Sequence, residues 1–205
     1  MEQRTPEWYA ARIGKVGASE IGKIVNKKKD GTPFQQEEDL LFQKVTERLT
    51  GKKTDFFVNQ AMQDGIDREP DARELYSLVT KNNVEEVGFI PHPTIKDTGA
   101  SPDGMIEVDG KQGVLEIKCP ADTTHTKYLL DKKCPTQYYP QIQFQMACTK
   151  SDFAHFVSYN PNFEPEQQMM WVLVEKDEEY IAKIEKAVTE FLTKVDELVN
   201  EIKEK

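Results

Sequence analysis

The chain has 205 residues, of which 38% are hydrophobic and 31% are charged, and its formal net charge is −9. The apolar content is sufficient for a packed core, whereas no stretch is long and apolar enough for a transmembrane helix, which excludes one. The negative net charge disfavours binding of nucleic acid by the whole surface but permits a local basic groove.

Cysteine usage and the N-terminal sequence bear on the cellular compartment. Cys119, Cys134 and Cys148 are odd in number and widely spaced, which argues against a disulfide framework and against a zinc ribbon. The N-terminal segment lacks the apolar region of a secretory signal. We therefore expect a cytoplasmic protein with reduced thiols and no membrane association.

Residues 1–80 carry helical patterns. Thr5 followed by Pro6 is typical of a helix start, and it predicts a helix over TPEWYAARIG. A second helix is predicted over ASEIGKIV, with Ser19 near its N-terminus, and a third over QQEEDLLFQKVTERLTG, which Gly51 ends. The segment NQAMQDGIDREPDARELYSLVT is also helical in pattern, and we expect Gly65 and Pro70 to kink or divide it.

The pattern then changes to that of strands. VEEVGFIPHP, TGASPDGMIEV and GVLEIKC are three strand-like segments separated by turn residues, and VDGKQG predicts a tight hairpin between the last two. With Gly110 and Lys111 as its two loop residues, Asp103 would lie opposite Lys118. That register places Asp103, Glu116 and Lys118 on one face of the hairpin.

The C-terminal part alternates between the two kinds of element. A helix is predicted over PTQYYPQIQFQMACT, strands over FAHFVSYN and QQMMWVLVE, and a long amphipathic helix over the C-terminal residues. Seven residues form the apolar stripe of this last helix: Ile181, Ile184, Val188, Phe191, Val195, Leu198 and Ile202. The order of elements predicts an α/β fold with a mixed sheet in a single domain, 1–205, built from N-terminal helices (1–80), a sheet core (84–175) and a C-terminal helix (177–205).

The strand GVLEIKC carries two charges within an apolar run. Glu116 and Lys118 are two residues apart, so both side chains point to the same face. Taken alone, this pair is better explained as an ion pair at the rim of a sheet. The upstream SPDG, however, brings Asp103 to the adjoining strand, and two carboxylates are ligands for a hard cation such as Mg²⁺. Metal-assisted phosphodiester hydrolysis is the chemistry that needs this combination, because the lysine can orient the attacking water.

Several blocks in a fixed order resemble a known family. SPDG followed by LEIKCP resembles the PD-(D/E)XK nuclease signature. With EWYAARIGKVGASEIG, GIDREPDARELY and YYPQIQFQMACT, the chain more narrowly resembles the lambda exonuclease and YqaJ-type viral recombinase nucleases. The resemblance implies a restriction-endonuclease-like fold, in which a central mixed sheet is flanked by helices. It also implies Mg²⁺-dependent 5′-to-3′ digestion of one strand of linear double-stranded DNA, with Mn²⁺ as a substitute ion.

The same resemblance implies partners. The family digests from a DNA end and leaves a 3′ overhang, which a single-strand annealing protein receives during recombination. It also implies a ring of three identical subunits around the DNA. An acidic exterior with a basic channel would reconcile such a ring with the net charge of −9.

Matching motifs assign catalytic roles by resemblance. Asp103 and Glu116 would be metal ligands, together with the backbone carbonyl of Ile117, and Lys118 the catalytic lysine. Glu69, in DREPDAR, would support the metal or its water, although a solvated helix acid is an equal alternative. Gln141 matches the glutamine on the helix after the motif strand, although another glutamine of that helix, Gln143 or Gln145, could be the one that faces the site.

The N-terminal block implies a second site. Arg12 and Ser19 match positions that bind the 5′-terminal phosphate, for which a guanidinium and a hydroxyl are suitable donors. From the residues alone, a surface charge and a plain N-cap are the simpler readings of these two. Where the family supplies a further basic phosphate contact, this chain has Thr124 or His125.

Two alternatives to an exonuclease remain open from the sequence. A structure-specific or restriction-type endonuclease would share Asp103, Glu116 and Lys118 on the same fold. A non-catalytic DNA-binding module would be expected to have lost at least one of the three. The blocks that resemble an end-phosphate site favour the exonuclease over both.

Overall fold

The computed structural model describes residues 2–54 and 59–205. Within these ranges it has seven α-helices: α1 (Pro6–Arg12), α2 (Ile21–Val25), α3 (Gln35–Thr50), α4 (Gln60–Thr80), α5 (Asp122–Asp131), α6 (Tyr139–Thr149) and α7 (Glu178–Lys203). The same ranges contain eight strands: β1 (Val16–Gly17), β2 (Val84–Glu85), β3 (Ile90–Pro91), β4 (Thr98–Ala100), β5 (Gly104–Val108), β6 (Lys111–Lys118), β7 (Phe153–Tyr159) and β8 (Met169–Glu175). None of the helices described in this way is long and apolar enough to cross a membrane.

The ends of the N-terminal helices follow local chemistry. The Thr5 hydroxyl accepts a hydrogen bond from the backbone N–H of Trp8 at 3.3 Å, which caps α1 as expected. Gly51 adopts the left-handed conformation (φ 66°) that ends α3, also as expected. Between them, the predicted second helix is shorter than its sequence pattern, because a 3₁₀ turn at Ala18–Glu20 precedes α2.

Helix α4 runs unbroken through Pro70 for 21 residues, so the expectation that it is divided is wrong. Proline removes one intrahelical hydrogen bond but leaves the packing face of a helix intact. Ala72 and Tyr76, two and six residues further on, are fully buried beneath the sheet. Tertiary packing of this face outweighs the local cost of the proline.

Five strands form the main sheet in the order β2-β5-β6-β7-β8. Strands β6 and β7 are parallel and the other pairs are antiparallel, which confirms a mixed sheet. The segment TGASPDGMIEV is not one strand, because its first part, β4, belongs to a separate three-stranded sheet with β1 and β3. VEEVGFIPHP is likewise divided between the two sheets, with β2 in the larger and β3 in the smaller.

The hairpin β5–β6 has a different register from the expected one. Val108 pairs with Lys111, so Asp109 and Gly110 are the loop residues rather than Gly110 and Lys111. Both loop residues have positive φ (51° and 74°), as a type I′ turn requires, and Asp-Gly is a preferred sequence for that turn. The correction moves Asp103 to the level of Glu116. Since the displacement is two residues, the expected face is kept.

Helices cover both faces of the main sheet, which confirms the fold class. Helix α4 packs on one face, where it contacts Leu115 and Ile117 of β6. Helices α5 and α6 pack on the other face, around Val114 and Phe156. A further layer of α2, α3 and α7 covers the far side of α6, so almost every residue of α6 is buried.

Two predictions outside the sheet need correction. The stripe of α7 is buried from Ile181 to Val195, but Ile202 is 51% exposed and Val199 is buried in its place. A straight helix of 3.6 residues per turn drifts away from a regular spacing of three and four over this length. Helix α5 was not predicted, because only His125 and Tyr128 of its sequence, DTTHTKYLLD, are buried, which gives no helical apolar pattern.

Candidate active site

Strand β6 carries the acid and the lysine that the sequence singles out. Leu115 and Ile117 point towards α4, so the alternating residues Glu116 and Lys118 point towards α6. Glu116 is 1% exposed, and its Oε1 lies 2.5 Å from the Nζ of Lys118. A buried position at the end of a core strand excludes an ion pair on a solvated rim.

Helix α6 supplies two further contacts to Glu116. Nε2 of Gln141 donates to Oε1 at 2.5 Å, and Nε2 of Gln145 donates to Oε2 at 2.6 Å. Residues four apart lie on one face of a helix, which explains why both reach the same carboxylate. Gln143 points elsewhere: it donates to the carbonyl of Glu175 and accepts from the N–H of Asp177.

Asp103 joins the group from the segment between β4 and β5. Its Oδ2 accepts a hydrogen bond from the backbone N–H of Ile117 at 2.7 Å. Burial, followed by the nearby charge of Glu116, raises the pKa of Asp103 well above its ordinary value. Burial alone would lower the pKa of Lys118, but the charges of Glu116 and Asp103 raise it above the ordinary value. The lysine is therefore a permanent cation beside two carboxylates.

Glu69 lies in the same region but is held by arginines. Its Oε1 accepts from Nη2 of Arg73 at 2.7 Å, and its Oε2 forms an ion pair with Arg4. Arg73 also donates through Nε to the backbone carbonyl of Asp103 at 3.1 Å. Glu69 is 9% exposed, which is inconsistent with a solvated helix acid.

The donor atoms fit a cation that needs few protein ligands. Among residues 2–54 and 59–205, no three His, Cys, Asp or Glu side chains converge on one point as in a zinc or calcium cage. Asp103 and Glu116 nevertheless bring two carboxylates together, and burial, followed by the charge of Glu116, raises the pKa of Asp103. This arrangement suits Mg²⁺ or Mn²⁺, since such ions retain several waters and take one or two carboxylates.

The two candidate phosphate-binding residues lie close together at the N-terminus. The guanidinium of Arg12 lies over the ring of Trp8, 4.0 Å from its centroid, and burial lowers its pKa. A Cβ atom at Gly17 would be 3.1 Å from Nη2 of Arg12, so the guanidinium abuts the turn that carries the exposed Ser19. Arg12 is therefore not a simple surface charge.

A hydrogen bond connects this region to the candidate catalytic segment. Nε1 of Trp8 donates to Oγ of Ser101 at 2.9 Å, two residues before Asp103. The ring that supports Arg12 is thus fixed to the chain that carries the aspartate. No feature of the sequence indicated this contact, because the two residues are 93 positions apart.

His125 is unsuitable as a phosphate contact. It is fully buried in α5, where its Nδ1 is hydrogen-bonded to Oγ of Ser158 at 2.7 Å and its Nε2 to the carbonyl of Gln167 at 2.8 Å. Both ring nitrogens are occupied in joining α5 to the β7–β8 region. Of the two residues considered for this role, Thr124 is the one that is partly exposed.

Sequence reasoning missed the arginines around Glu69. Arg73 follows Glu69 by four residues on one helix, and that spacing could have identified the pair. Arg4 precedes the first helix and had no such signal. Its ion pair with Glu69 depends on the tertiary fold.

Comparison with solved structures assigns a class to this geometry. Two structures of an alkaline exonuclease from Laribacter hongkongensis, one in complex with dAMP, have TM-scores of 0.88 and 0.89 to this chain. Both are 37% identical in sequence, and the similarity covers 98% of this chain and 97% of theirs. The fold and the similarity together define a nuclease with a restriction-endonuclease-like core.

The family follows from the sequence match. Residues 7–152 match the model of the YqaJ-like viral recombinase domain, and the chain belongs to that family. An uncharacterised protein of Acanthamoeba polyphaga mimivirus is 28% identical over 168 residues, or 76% of this chain. The chain spans only 29% of the length of that viral protein.

Proposed function

We propose that the chain is a Mg²⁺-dependent exonuclease that degrades one strand of linear double-stranded DNA in the 5′-to-3′ direction. The observation that carries this proposal is the convergence of Asp103, Glu116 and Lys118 at the end of a core strand. The similarity to alkaline exonucleases supports digestion from an end. That enzyme was also solved in complex with dAMP, a deoxynucleoside monophosphate, which supports DNA as the substrate.

Asp103 and Glu116, with the carbonyl of Ile117, would hold the metal ion. A bound Mg²⁺ or Mn²⁺ lowers the pKa of a coordinated water and neutralises charge that develops on the phosphate. Asp103 is already oriented by the N–H of Ile117, and Glu116 by Gln141. Because both carboxylates are already held in position, the side chains need to move little when an ion binds.

Lys118 would be the catalytic lysine. Its ammonium lies beside Oε1 of Glu116, is 27% exposed, and remains charged because its pKa is raised. From this position it can orient the attacking water and stabilise negative charge on the scissile phosphate. Gln141 touches the same carboxylate oxygen from a partly exposed position, so its amide is also within the catalytic group.

Glu69 would support the metal or its water from the side of α4. In the chain alone, its charge is balanced by Arg4 and Arg73. Arg73 also bonds the carbonyl of Asp103, so a shift of Glu69 and of the aspartate segment would be coupled. Glu69 is therefore connected to the Asp103 segment through Arg73.

Arg12 and Ser19 would bind the 5′-terminal phosphate. Arg12 is presented by the Trp8 ring at the edge of the turn that carries Ser19. A guanidinium can donate two parallel hydrogen bonds to a phosphate. Trp8 is bonded to Ser101, close to Asp103 in sequence, which supports a fixed distance between the end-binding site and the site of cleavage.

The assembly and the partner follow from the family resemblance. We expect a ring of three subunits that encloses the DNA, and a single-strand annealing protein that receives the 3′ overhang. Light scattering tests the first expectation, since a stable monomer at working concentration would contradict it.

Linear and circular duplex DNA, each with and without Mg²⁺, distinguish the candidate activities. Digestion of linear DNA alone, with release of 5′ mononucleotides in the presence of Mg²⁺, supports the exonuclease. Nicking of closed circles would instead indicate an endonuclease on the same fold. Binding of DNA without cleavage at any metal concentration would contradict both enzymatic functions.

A further inference from the structure

The two oxygens of Glu116 have different environments. Oε1 accepts from both Lys118 and Gln141, which are partly exposed and lie on the open side of the site. Oε2 accepts from Gln145, its only hydrogen-bond donor among the residues that the structure describes. Gln145 is fully buried. The carboxylate is therefore anchored at Oε2 by a fully buried side chain, whereas Oε1 is in contact with two partly exposed ones.

The amide of Gln145 is oriented by this contact. A carboxylate oxygen can only accept, so the NH₂ group of the amide must face Glu116. Within residues 2–54 and 59–205, the other end of the amide, Oε1, is buried without a hydrogen-bond partner. An unpaired buried acceptor is unfavourable, whereas a hydrogen bond to a charged group is stronger than average. Its bond to Glu116 is thus what determines the position of Gln145.

The neighbouring glutamine of the same helix behaves differently. Gln143 is also fully buried, but both ends of its amide are hydrogen-bonded, one to the carbonyl of Glu175 at the end of β8 and the other to the N–H of Asp177, which caps α7. Gln143 therefore fastens α7 to α6 and has no contact with the catalytic carboxylates. The chain contains a structural glutamine and a site-facing glutamine two residues apart.

We propose that Gln145 is a positioning residue that fixes the rotation of the Glu116 carboxylate, so that Oε1 alone is presented to the divalent cation. This inference rests on the proposed metal-dependent function. A carboxylate that is held at one oxygen binds through the other, which leaves coordination positions for water and the scissile phosphate. Without the anchor, Glu116 can rotate, and its alternative orientations compete with the productive one.

Metal binding without DNA tests the inference. Hydrogen-bond partners of metal ligands typically contribute roughly 10–100-fold to affinity, so Gln145→Met should weaken Mn²⁺ binding, measured by electron paramagnetic resonance, by about that factor. Gln145→Asn keeps the amide but is one methylene too short to reach Glu116, so it should weaken binding similarly. The Asn variant also serves if the Met variant does not fold.

Gln143→Met is the matched control. It removes two hydrogen bonds from a position of equal burial, so it should lower the melting temperature while leaving Mn²⁺ affinity within about twofold of wild type. Equal Mn²⁺ affinity in wild type and in both Gln145 variants would overturn the positioning role. Equal loss of affinity in the Gln143 and Gln145 variants would overturn it as well, because the effect would then reflect stability.

Glu116→Ala separates this inference from the function on which it rests. If wild type binds Mn²⁺ and Glu116→Ala does not, the proposed site is present, and the Gln145 variants alone decide the positioning role. If Glu116→Ala binds Mn²⁺ as tightly as wild type does, Glu116 is not a metal ligand. The proposed metal site is then wrong, and so is the inference about Gln145.

Discussion

The candidate catalytic group and the candidate phosphate site are built in different ways. Glu116 and Lys118 are placed by the regular alternation of a core strand, and their neighbours on α6 by the regular repeat of a helix. Arg12 is the last residue of α1 and lies four residues after Trp8, whose ring supports it, and Trp8 connects it to a residue 93 positions away. The strand alternation that places Glu116 and Lys118 can be recognised in the sequence, whereas the second site also depends on the short turn that carries Ser19 and on the distant contact of Trp8.

Removing a carboxylate should have the largest effect and tests whether the first region holds the ion. Asp103→Ala should reduce nuclease activity to background, because it removes one of the two carboxylates that are proposed to bind the metal ion. Isothermal titration with Mn²⁺ should show the loss of binding directly. If the variant retains both metal binding and activity, Asp103 is not a metal ligand.

Replacing the lysine should separate catalysis from metal binding within that region. Lys118→Ala should still bind Mn²⁺, since the ammonium is not a ligand, while turnover falls by roughly 10²–10³ through loss of one preorganised electrostatic contact. Lys118→Arg should restore the rate only in part, because a planar guanidinium cannot place its charge at the same point. If Lys118→Ala retains turnover within a few-fold of wild type, Lys118 is not catalytic and serves only as the ion-pair partner of Glu116.

A smaller effect is expected in the second region. If Arg12 binds a terminal phosphate, wild type should degrade duplexes with a 5′-phosphate faster than those with a 5′-hydroxyl, and Arg12→Ala should reduce that preference by roughly tenfold. Lys15→Ala is the control, because it removes a nearby positive charge that lies over Phe89 and not over Trp8. Equal rates on both kinds of end for wild type would contradict the proposed pocket.

The smallest effect concerns the support of the catalytic strand. His155 of β7 pairs with Leu115 of β6 and is 6% exposed, and burial lowers its pKa from 6.5 to about 4. Below pH 6.5 His155 binds a proton in the unfolded chain, whereas in the folded chain it stays neutral until the pH falls to about 4. The free energy of unfolding should therefore fall as the pH decreases through this window.

Urea unfolding at several pH values between 7 and 4 measures that dependence. His155→Gln cannot titrate, and its amide oxygen can accept from the Tyr76 hydroxyl, which bonds Nδ1 of His155 at 2.6 Å. The variant should lose stability less steeply over the same range. Identical slopes for the two proteins would mean that His155 titrates over the same pH range in the folded and unfolded chains, so that its pKa is not lowered by folding.

Much of the fold and of the catalytic group is predictable from the sequence because it depends on local rules. Thr5 and Gly51 delimit helices by their own chemistry, and the spacing of Glu116 and Lys118 places both on one face whatever the neighbouring strands do. The hairpin register was wrong by two residues, yet the face of Asp103 was right, because strand alternation has a period of two.

The remainder depends on contacts that no local pattern specifies. Three glutamines at alternate positions of α6 are equivalent in sequence, and only the position of the helix against the sheet makes Gln145 face Glu116 and Gln143 face α7. The burial of His125 depends on Ser158, 33 positions away. Such distinctions require the tertiary fold.

The turn at Asp109 and Gly110 has a practical consequence for anyone who alters this protein. The turn is exposed and lies away from the reacting groups, so it resembles a tolerant place for an epitope tag or a linker. If β5 took up one extra residue, the register would shift by one and Asp103 would point to the α4 face. If it took up two, Asp103 would point to its original face but would no longer be level with Glu116. Insertions at this turn therefore bear on the candidate active site through the register of the hairpin, although neither turn residue belongs to that site.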